Sequence, residues 1–274
     1  MKLLLTDVDA YILGTDQEEL DRLELQHKVW ASETRKGWLN AEFREGQTIL
    51  DLGCGPGYCS VELAKIVGPN GKVVALDRSE SFITYLDAHA KKLNLPISTI
   101  HSDFNAMKIE DESLDGAYSR WALAWIPNPE EIIAKVVKAL KPGGRMVFHE
   151  YFDWSTHHVY PETKNLTKGI NSALKSFKES DSEIDVGAFI PEILDSFAVK
   201  IINNRLIPKL ASPNTNEWKW PTTFYKSYFP RLIEMGYLTR SEVEDAFGEL
   251  EQTEKLHFAR LACPLMIEII AEKN

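Results

Sequence analysis

The chain has 274 residues, 44% of them hydrophobic, enough to fill the core of one large domain or of one domain with a cap. Its formal charge of −10 and the lack of any lysine or arginine cluster argue against binding nucleic acid across a broad basic surface, because phosphate backbones need neutralising cations. Its three cysteines, Cys54, Cys59 and Cys263, stand in no metal-ligand spacing, so neither a disulfide framework nor a metal site is expected.

At the amino end, Leu3, Leu4 and Leu5 give way to Thr6 and Asp7, too short an apolar stretch for a signal peptide. No apolar run reaches bilayer length, and a cytoplasmic protein without membrane attachment is expected. Residues 1–45 read as an amino-terminal helical cap. Within Gln17 to Trp38, Leu20, Leu23, Val29 and Trp30 give a partly amphipathic pattern. Gln26 falls on or beside that stripe, either as a half-exposed amide or as a polar contact to a ligand beneath the helix.

From Thr48 onward, short apolar runs alternate with helical segments: strands at Thr48–Leu52, Lys72–Asp77, Ser98–Asp103, Leu114–Ser119 and Arg145–Tyr151, and helices at Val61–Val67, Phe82–Leu93 and Pro129–Leu140. Such alternation predicts a parallel sheet covered by helices on both faces. Ligands bind along the carboxyl edge of such a sheet, where every motif below is expected to fall. Beyond Tyr151, a polar helical stretch covers Ser155 to Ser182, a short helix Pro191 to Phe197 and a strand Val199 to Leu206. Ala211 to Thr223 reads as a loop, Ser241 to Glu254 as an acidic helix, and the apolar run Phe258 to Ala271 as a segment able to close the sheet. Residues 46–274 thus form the main domain, with lid insertions at about 155–182 and 211–256 that are too poor in apolar residues to make cores of their own.

The strongest local signal is Ile49-Leu50-Asp51-Leu52-Gly53-Cys54-Gly55-Pro56-Gly57-Tyr58, a strand running into a glycine-rich turn that opens a helix. Glycines there permit φ > 0 and close approach of a ligand. Asp77, ending the next strand, stands where a carboxylate accepts both hydrogen bonds of a ribose diol. The Gly53-x-Gly55-x-Gly57 spacing, with Asp51 just before it, fits a nicotinamide dinucleotide poorly, since that carboxylate repels pyrophosphate and attracts an ammonium.

Asp51 to Gly57 resembles motif I of class I S-adenosylmethionine-dependent methyltransferases, and the resemblance extends from about Gly46 to Tyr151. It implies a Rossmann-like α/β fold with a mostly parallel seven-stranded sheet, amino-terminal helices and helical lid insertions. It also implies S-adenosylmethionine as cofactor, S-adenosylhomocysteine as product, and in-line transfer of a methyl group to O, N or C of a small molecule. The resemblance places Asp51, Gly53, Cys54, Gly55 and Gly57 in the cofactor site. It puts Asp77 with Arg78 at the ribose, Ser102, Asp103 and Phe104 at the adenine, and Arg120 and Trp121 at the methionine end. Tyr11 and Gln26 are carried over as contacts with the methionine carboxylate or the lid. Asp77 and Asp103 also read as helix caps, Phe104 as core, and Lys141-Pro142-Gly143-Gly144 as a structural turn.

No catalytic group is fixed by these motifs. His149, Glu150, His157 and His158 follow the fifth strand and are candidate bases for a hydroxyl or phenol acceptor, with structural roles as the alternative. Trp154, Trp218, Trp220, Phe224, Tyr225, Tyr228 and Phe229 suit an apolar or planar acceptor, or the lid's own packing. A protein acceptor and a non-catalytic cofactor-binding protein remain alternatives, an NAD-dependent oxidoreductase is the weakest one, and a homodimer is left open.

Overall fold

The computed structural model describes residues 17–180 and 183–274, so the expectation for Tyr11 falls outside the described residues. Helix α1 (Gln17–Asn40) buries Leu23, His27, Trp30, Thr34, Gly37 and Trp38, a stripe with three- and four-residue spacing. The strands β1 (Thr48–Leu52), β2 (Lys72–Asp77), β3 (Ile97–His101), β4 (Leu114–Arg120) and β5 (Leu140–Asp153) are parallel and lie in the order β3-β2-β1-β4-β5. Between them run α2 (Tyr58–Val67), α3 (Glu80–Lys92) and α4 (Pro129–Ala139). The order reverses at β1, which opens a crevice between the carboxyl ends of β1 and β4.

After β5 the chain forms β6 (His158–Tyr160), α5 (Lys164–Lys178), α6 (Ile190–Asp195), β7 (Val199–Ile207) and β8 (Leu210–Ala211). It ends with α7 (Asn216–Glu234), α8 (Arg240–Glu254), β9 (Arg260–Ala262) and β10 (Leu265–Lys273). β10 inserts antiparallel between β5 and β7, completing a seven-stranded, mostly parallel sheet, while β6, β9 and β8 make a small second sheet. This is the α/β architecture expected, with Leu265 onward supplying the closing strand. Helices α5, α7 and α8 pack on one another, and α7 packs on α1. Among the described residues no helix is long and apolar enough to cross a membrane.

Two expectations need correction. Ala211 to Thr223 is not a loop throughout: Thr215 Oγ1 accepts the Trp218 N–H at 3.2 Å and starts α7. The helix contains Pro221 and Pro230 because burial of Trp218, Trp220, Tyr225 and Phe229 outweighs the backbone bonds that the prolines forfeit. The Lys141 to Gly144 turn lies at the amino end of β5, on the edge opposite the crevice, where Lys141 Nζ pairs with Asp115 Oδ1 at 2.7 Å.

Alternation along the strands sorts their side chains onto two faces. Ile49, Val73, Tyr118, Val147 and Ile270 pack with Trp38 and α2 on one face; Leu50, Leu76, Met146, Phe148 and Ile269 join the larger cluster that includes α4 and α6 on the other. The α1 face also carries a polar row: Arg120, His149, Glu268 and Arg205 are successive cross-strand partners on β4, β5, β10 and β7. Gly37 rests on this row; a Cβ there would meet Glu268 Oε2 at 2.7 Å and His149 Cε1 at 3.0 Å. Replacing glycine by alanine within a helix ordinarily stabilises by up to about 1 kcal/mol. Gly37→Ala is expected to do the reverse, lowering stability by about 1–3 kcal/mol in urea denaturation. A gain in stability would show that α1 does not depend on this close approach.

Candidate functional site

The crevice opens into one continuous cavity whose two halves are built differently. The first half comes from the strand ends. Gly53 (φ 73°) and Gly55 (φ 54°) turn the chain out of β1, and the Gly53 and Cys54 N–H groups donate to Leu76 O at 2.9 and 3.0 Å. A Cβ on Gly53 would sit 2.4 Å from Ala122 Cβ, whereas one on Gly55 would meet nothing within 4 Å and stand in the cavity. Asp77 fixes this turn, since its Oδ2 accepts the Gly55 N–H at 2.8 Å and its Oδ1 the Ser79 N–H at 2.9 Å. A carboxylate has about four acceptor positions, so these two bonds leave capacity for a ligand. Burial raises the Asp77 pKa above the ordinary value despite these bonds.

Asp51 lies beneath the turn and accepts the Ser60 hydroxyl of α2. Burial pushes its pKa up to about 6. At the far rim Asp103 Oδ1 accepts the Asn105 N–H at 2.8 Å, so Asp103 is a cap and also a cavity wall. Phe104 is buried and lines the same rim, with its ring tip 3.6 Å from where a Gly53 Cβ would be.

The turn after β4 joins the halves. Trp121 adopts φ 54°, costly for a bulky residue, and is held there by its N–H to His149 O at 3.1 Å. Its ring stacks on Tyr151 and Trp220, each with centroids 5.6 Å apart, and meets Trp30 edge-on. The second half is aromatic. Trp220, Phe224 and Tyr228 recur every four residues on α7 and line the cavity, with Phe224 packed against Trp154 (centroids 6.1 Å apart) and Tyr228 against Phe177 (5.1 Å). Their polar tips are occupied within the wall: Trp220 Nε1 donates to Gln26 Oε1 at 2.9 Å, and Tyr228 OH bonds Ser176 Oγ at 2.9 Å.

Of the residues expected from the sequence, Gln26, Asp51, Gly53, Cys54, Gly55, Asp77, Arg78, Asp103, Phe104, Arg120 and Trp121 line this cavity. Gly57 does not: it is the left-handed residue before α2, where a Cβ would strike Leu86. Ser102 turns away and donates to Asp103 O at 2.8 Å. Trp218, Tyr225 and Phe229 pack in the core.

The candidate bases fare differently. His149 is buried under α1, with Nδ1 3.2 Å from Tyr118 OH and Nε2 2.9 Å from Glu268, outside the cavity wall. Glu150 points to the opposite face, where its Oε1 accepts the Leu123 N–H at 3.2 Å and braces the turn after β4. His157 reaches the cavity, but it and His158 do not share a helix as expected; His157 follows a 3-10 turn and His158 opens β6. Its Nδ1 must donate to Ala262 O, leaving Nε2 to accept the Tyr225 hydroxyl, so its basic nitrogen is already committed. Burial lowers its pKa to about 4, which keeps it neutral at pH 7.

Sequence reasoning missed Arg22, Tyr118, Tyr151 and Phe177 in the wall. Tyr118 was within reach, because strand alternation puts it on the same face as Arg120.

A family model for a methyltransferase domain matches residues 43–204. The chain is 29% identical over 150 residues to the demethylmenaquinone methyltransferase of Desulfitobacterium hafniense, covering 52% of this chain and 58% of that protein. It is 27% identical over 210 residues to the sterol 24-C-methyltransferase of Saccharomyces cerevisiae, covering 73% and 51%. The chain spans about half the length of the curated relatives it matches. Its fold is shared with the crystal structure of geranyl diphosphate C-methyltransferase from Streptomyces coelicolor A3(2), which holds S-adenosyl-L-homocysteine: TM-score 0.56, 13% identity, 97% of this chain and 85% of that one.

Burial raises the Glu150 pKa from the ordinary 4.5 to about 8, so the group is protonated in the folded protein at neutral pH. The sign follows from linkage: the stabilisation is complete below about pH 4.5 and is lost as pH rises to about 8. Glu150→Gln, which mimics the neutral acid, is expected to flatten the fall in Tm between those pH values; an unchanged Tm profile would show that Glu150 is ionised in the fold.

Proposed function

Because the chain belongs to the methyltransferase-domain family, we propose that it moves the methyl group of S-adenosylmethionine to a small apolar or aromatic molecule bound beneath α7. The observation that carries this reading is the single cavity in which the Asp51, Gly55 and Asp77 wall continues into the aromatic wall of Trp154, Phe177, Trp220 and Phe224. The open space beside Gly55 is a cradle for backbone-close binding, and the remaining acceptor capacity of Asp77 suits a ribose diol.

When bound, the cofactor supplies an electrophilic methyl group on a sulfonium. The chain's own residues bind and align. Asp77 would take the ribose hydroxyls, Asp103 and Phe104 the adenine, and Asp51 the ammonium end, where an anionic carboxylate favours a cation. The aromatic wall would hold the acceptor against the methyl group and exclude water, and such positioning supplies much of the acceleration in a displacement. Among the described residues no side chain in the acceptor half offers an uncommitted base, since His157 is bonded to Tyr225, which favours an acceptor atom already nucleophilic or one whose proton leaves to solvent. We take α1, α5, α7 and α8 as the cap that sets acceptor choice. All of these groups come from one chain, so the reading needs no second copy. Three buried free thiols, Cys54, Cys59 and Cys263, suit the reducing cytoplasm.

Calorimetric titration with S-adenosylmethionine, S-adenosylhomocysteine and NAD is the primary test. Binding of the first two is expected, weakened about 10- to 100-fold in Asp77→Ala, as loss of charge-assisted hydrogen bonds implies; binding of NAD alone would overturn the reading. Acceptor screening should then find turnover with planar or isoprenoid-like molecules. Phe224→Ala is expected to raise KM for the acceptor about tenfold or more through lost apolar burial, with cofactor affinity unchanged. Turnover confined to basic peptides would point instead to a protein acceptor.

A further inference from the structure

Resting on the reading of this cavity as a S-adenosylmethionine pocket, we propose that the Arg120 guanidinium binds the carboxylate of the cofactor's amino-acid end, and that a one-way hydrogen-bond chain from Glu268 holds it there.

Arg120 lines the cavity beside Asp51 and Gly53. Its one hydrogen bond among the described residues is from Nη1 to Thr34 Oγ1 at 3.0 Å, and none of the ion pairs among those residues engages it. The Trp121 ring covers it at 5.1 Å. A guanidinium has five N–H donors, so most of its capacity faces the cavity unspent, in a position where solvent is largely displaced by protein. The group that satisfies it must be an anion brought by the ligand, and the amino-acid carboxylate is the one anionic group of S-adenosylmethionine. Asp51, one strand over, is then left for the ammonium of the same amino acid.

The orientation of Arg120 is set from behind. The Glu268 carboxylate can only accept, so His149 donates to its Oε2 from Nε2 at 2.9 Å and, as a neutral ring, accepts the Tyr118 hydroxyl proton at Nδ1 at 3.2 Å. With that proton spent, Thr34 donates its own to Tyr118 OH at 3.3 Å and accepts from Arg120. Every donor in this series points away from the cavity, and the series ends on a carboxylate that Arg205 grips with two bonds of 2.8 and 2.9 Å. A chain with one consistent direction polarises each bond in turn and leaves no hydroxyl free to reverse. Burial lowers the His149 pKa, in keeping with the neutral ring this direction requires, while His149 and Arg205 hold Glu268 down to about 2. Arg120 is thus a binding residue, and Tyr118 and His149 are positioning residues acting through it.

The test compares S-adenosylmethionine with its decarboxylated analogue, titrated calorimetrically into wild type, Arg120→Gln, Arg120→Lys and Tyr118→Phe, with unfolding midpoints to confirm the fold. Wild type is expected to prefer the carboxylate-bearing compound by about 10- to 100-fold, the range for charge-assisted bonds. Arg120→Gln should bind the two nearly equally, Arg120→Lys should keep part of the preference, and Tyr118→Phe should reduce it several-fold. A merely structural role for the row would weaken both compounds alike and leave their ratio unmoved. An unchanged ratio in Arg120→Gln would overturn the assignment, and an unchanged ratio in Tyr118→Phe would overturn the positioning chain. Wild-type protein that binds neither compound would instead overturn the cofactor reading on which the proposal rests.

Discussion

Four charged or titratable side chains lie in one row beneath α1, and the geometry of the crevice depends on how that row is satisfied. Groups taken out of water need partners, and a buried ion pair gives little net stability once its desolvation is counted. What the Arg120, His149, Glu268 and Arg205 row supplies is register. Arg205 bridges Glu268 and Glu33 of α1, Thr34 meets both Tyr118 and Arg120, and Gly37 lets the helix backbone come down onto the His149 and Glu268 pair. With α1 fixed in that register, Leu23 and Gln26 stand over the cavity and Trp30 meets Trp121 and Trp220 edge-on. A row of apolar side chains would bind α1 as tightly without specifying which turn of the helix sits where.

The other face of the sheet performs the matching task for the turn after β4. Successive residues of a strand point to opposite faces, so His149 serves the row under α1 while Glu150, its neighbour, braces Leu123 from the other side. Trp121, in its strained conformation, lies between these two supports. The turn that joins the halves of the cavity is therefore held by the His149 backbone carbonyl in the plane of the sheet and by the Glu150 side chain from one face, rather than by its own propensity.

This explains what the sequence could and could not say. The glycine turn, Asp51, Asp77 and Asp103 are legible because each sits at a fixed short distance from a strand end, and the backbone alone places it. His149 and Glu150 follow the same strand and look equally well placed, yet β5 continues to Asp153, which keeps both inside the sheet rather than at its mouth. The aromatic wall is legible only in part: Trp154, Trp220, Phe224 and Tyr228 line the cavity as the sequence suggests, but the sequence does not sort them from Trp218, Tyr225 and Phe229, which pack in the core. Pro221 and two tryptophans disguise the first turns of α7, and the four-residue recurrence of Trp220, Phe224 and Tyr228 has meaning only once that segment is helical. Tertiary burial decided that helix, and burial is what a single sequence does not display.

The two halves of the cavity recognise by different physics, and the difference bears on what the acceptor must be. Strand ends and carboxylates define the first half, where each polar contact has a fixed direction. In the second, Gln26 occupies the Trp220 indole N–H, Ser176 the Tyr228 hydroxyl and Tyr225 the His157 nitrogen, so the wall presents rings and withholds its donors and acceptors. A wall of that kind selects by shape and apolar area. It discriminates between homologues differing by one methylene by only about 1–3 kcal/mol, whereas it strongly disfavours a ligand that must bury an unpaired polar group. On the proposed reading, strict identity therefore resides with the cofactor and tolerance with the acceptor. The α5 and α7 side chains Phe177, Phe224 and Tyr228 lie outside the sheet and off the row that holds α1, so they can change without disturbing it.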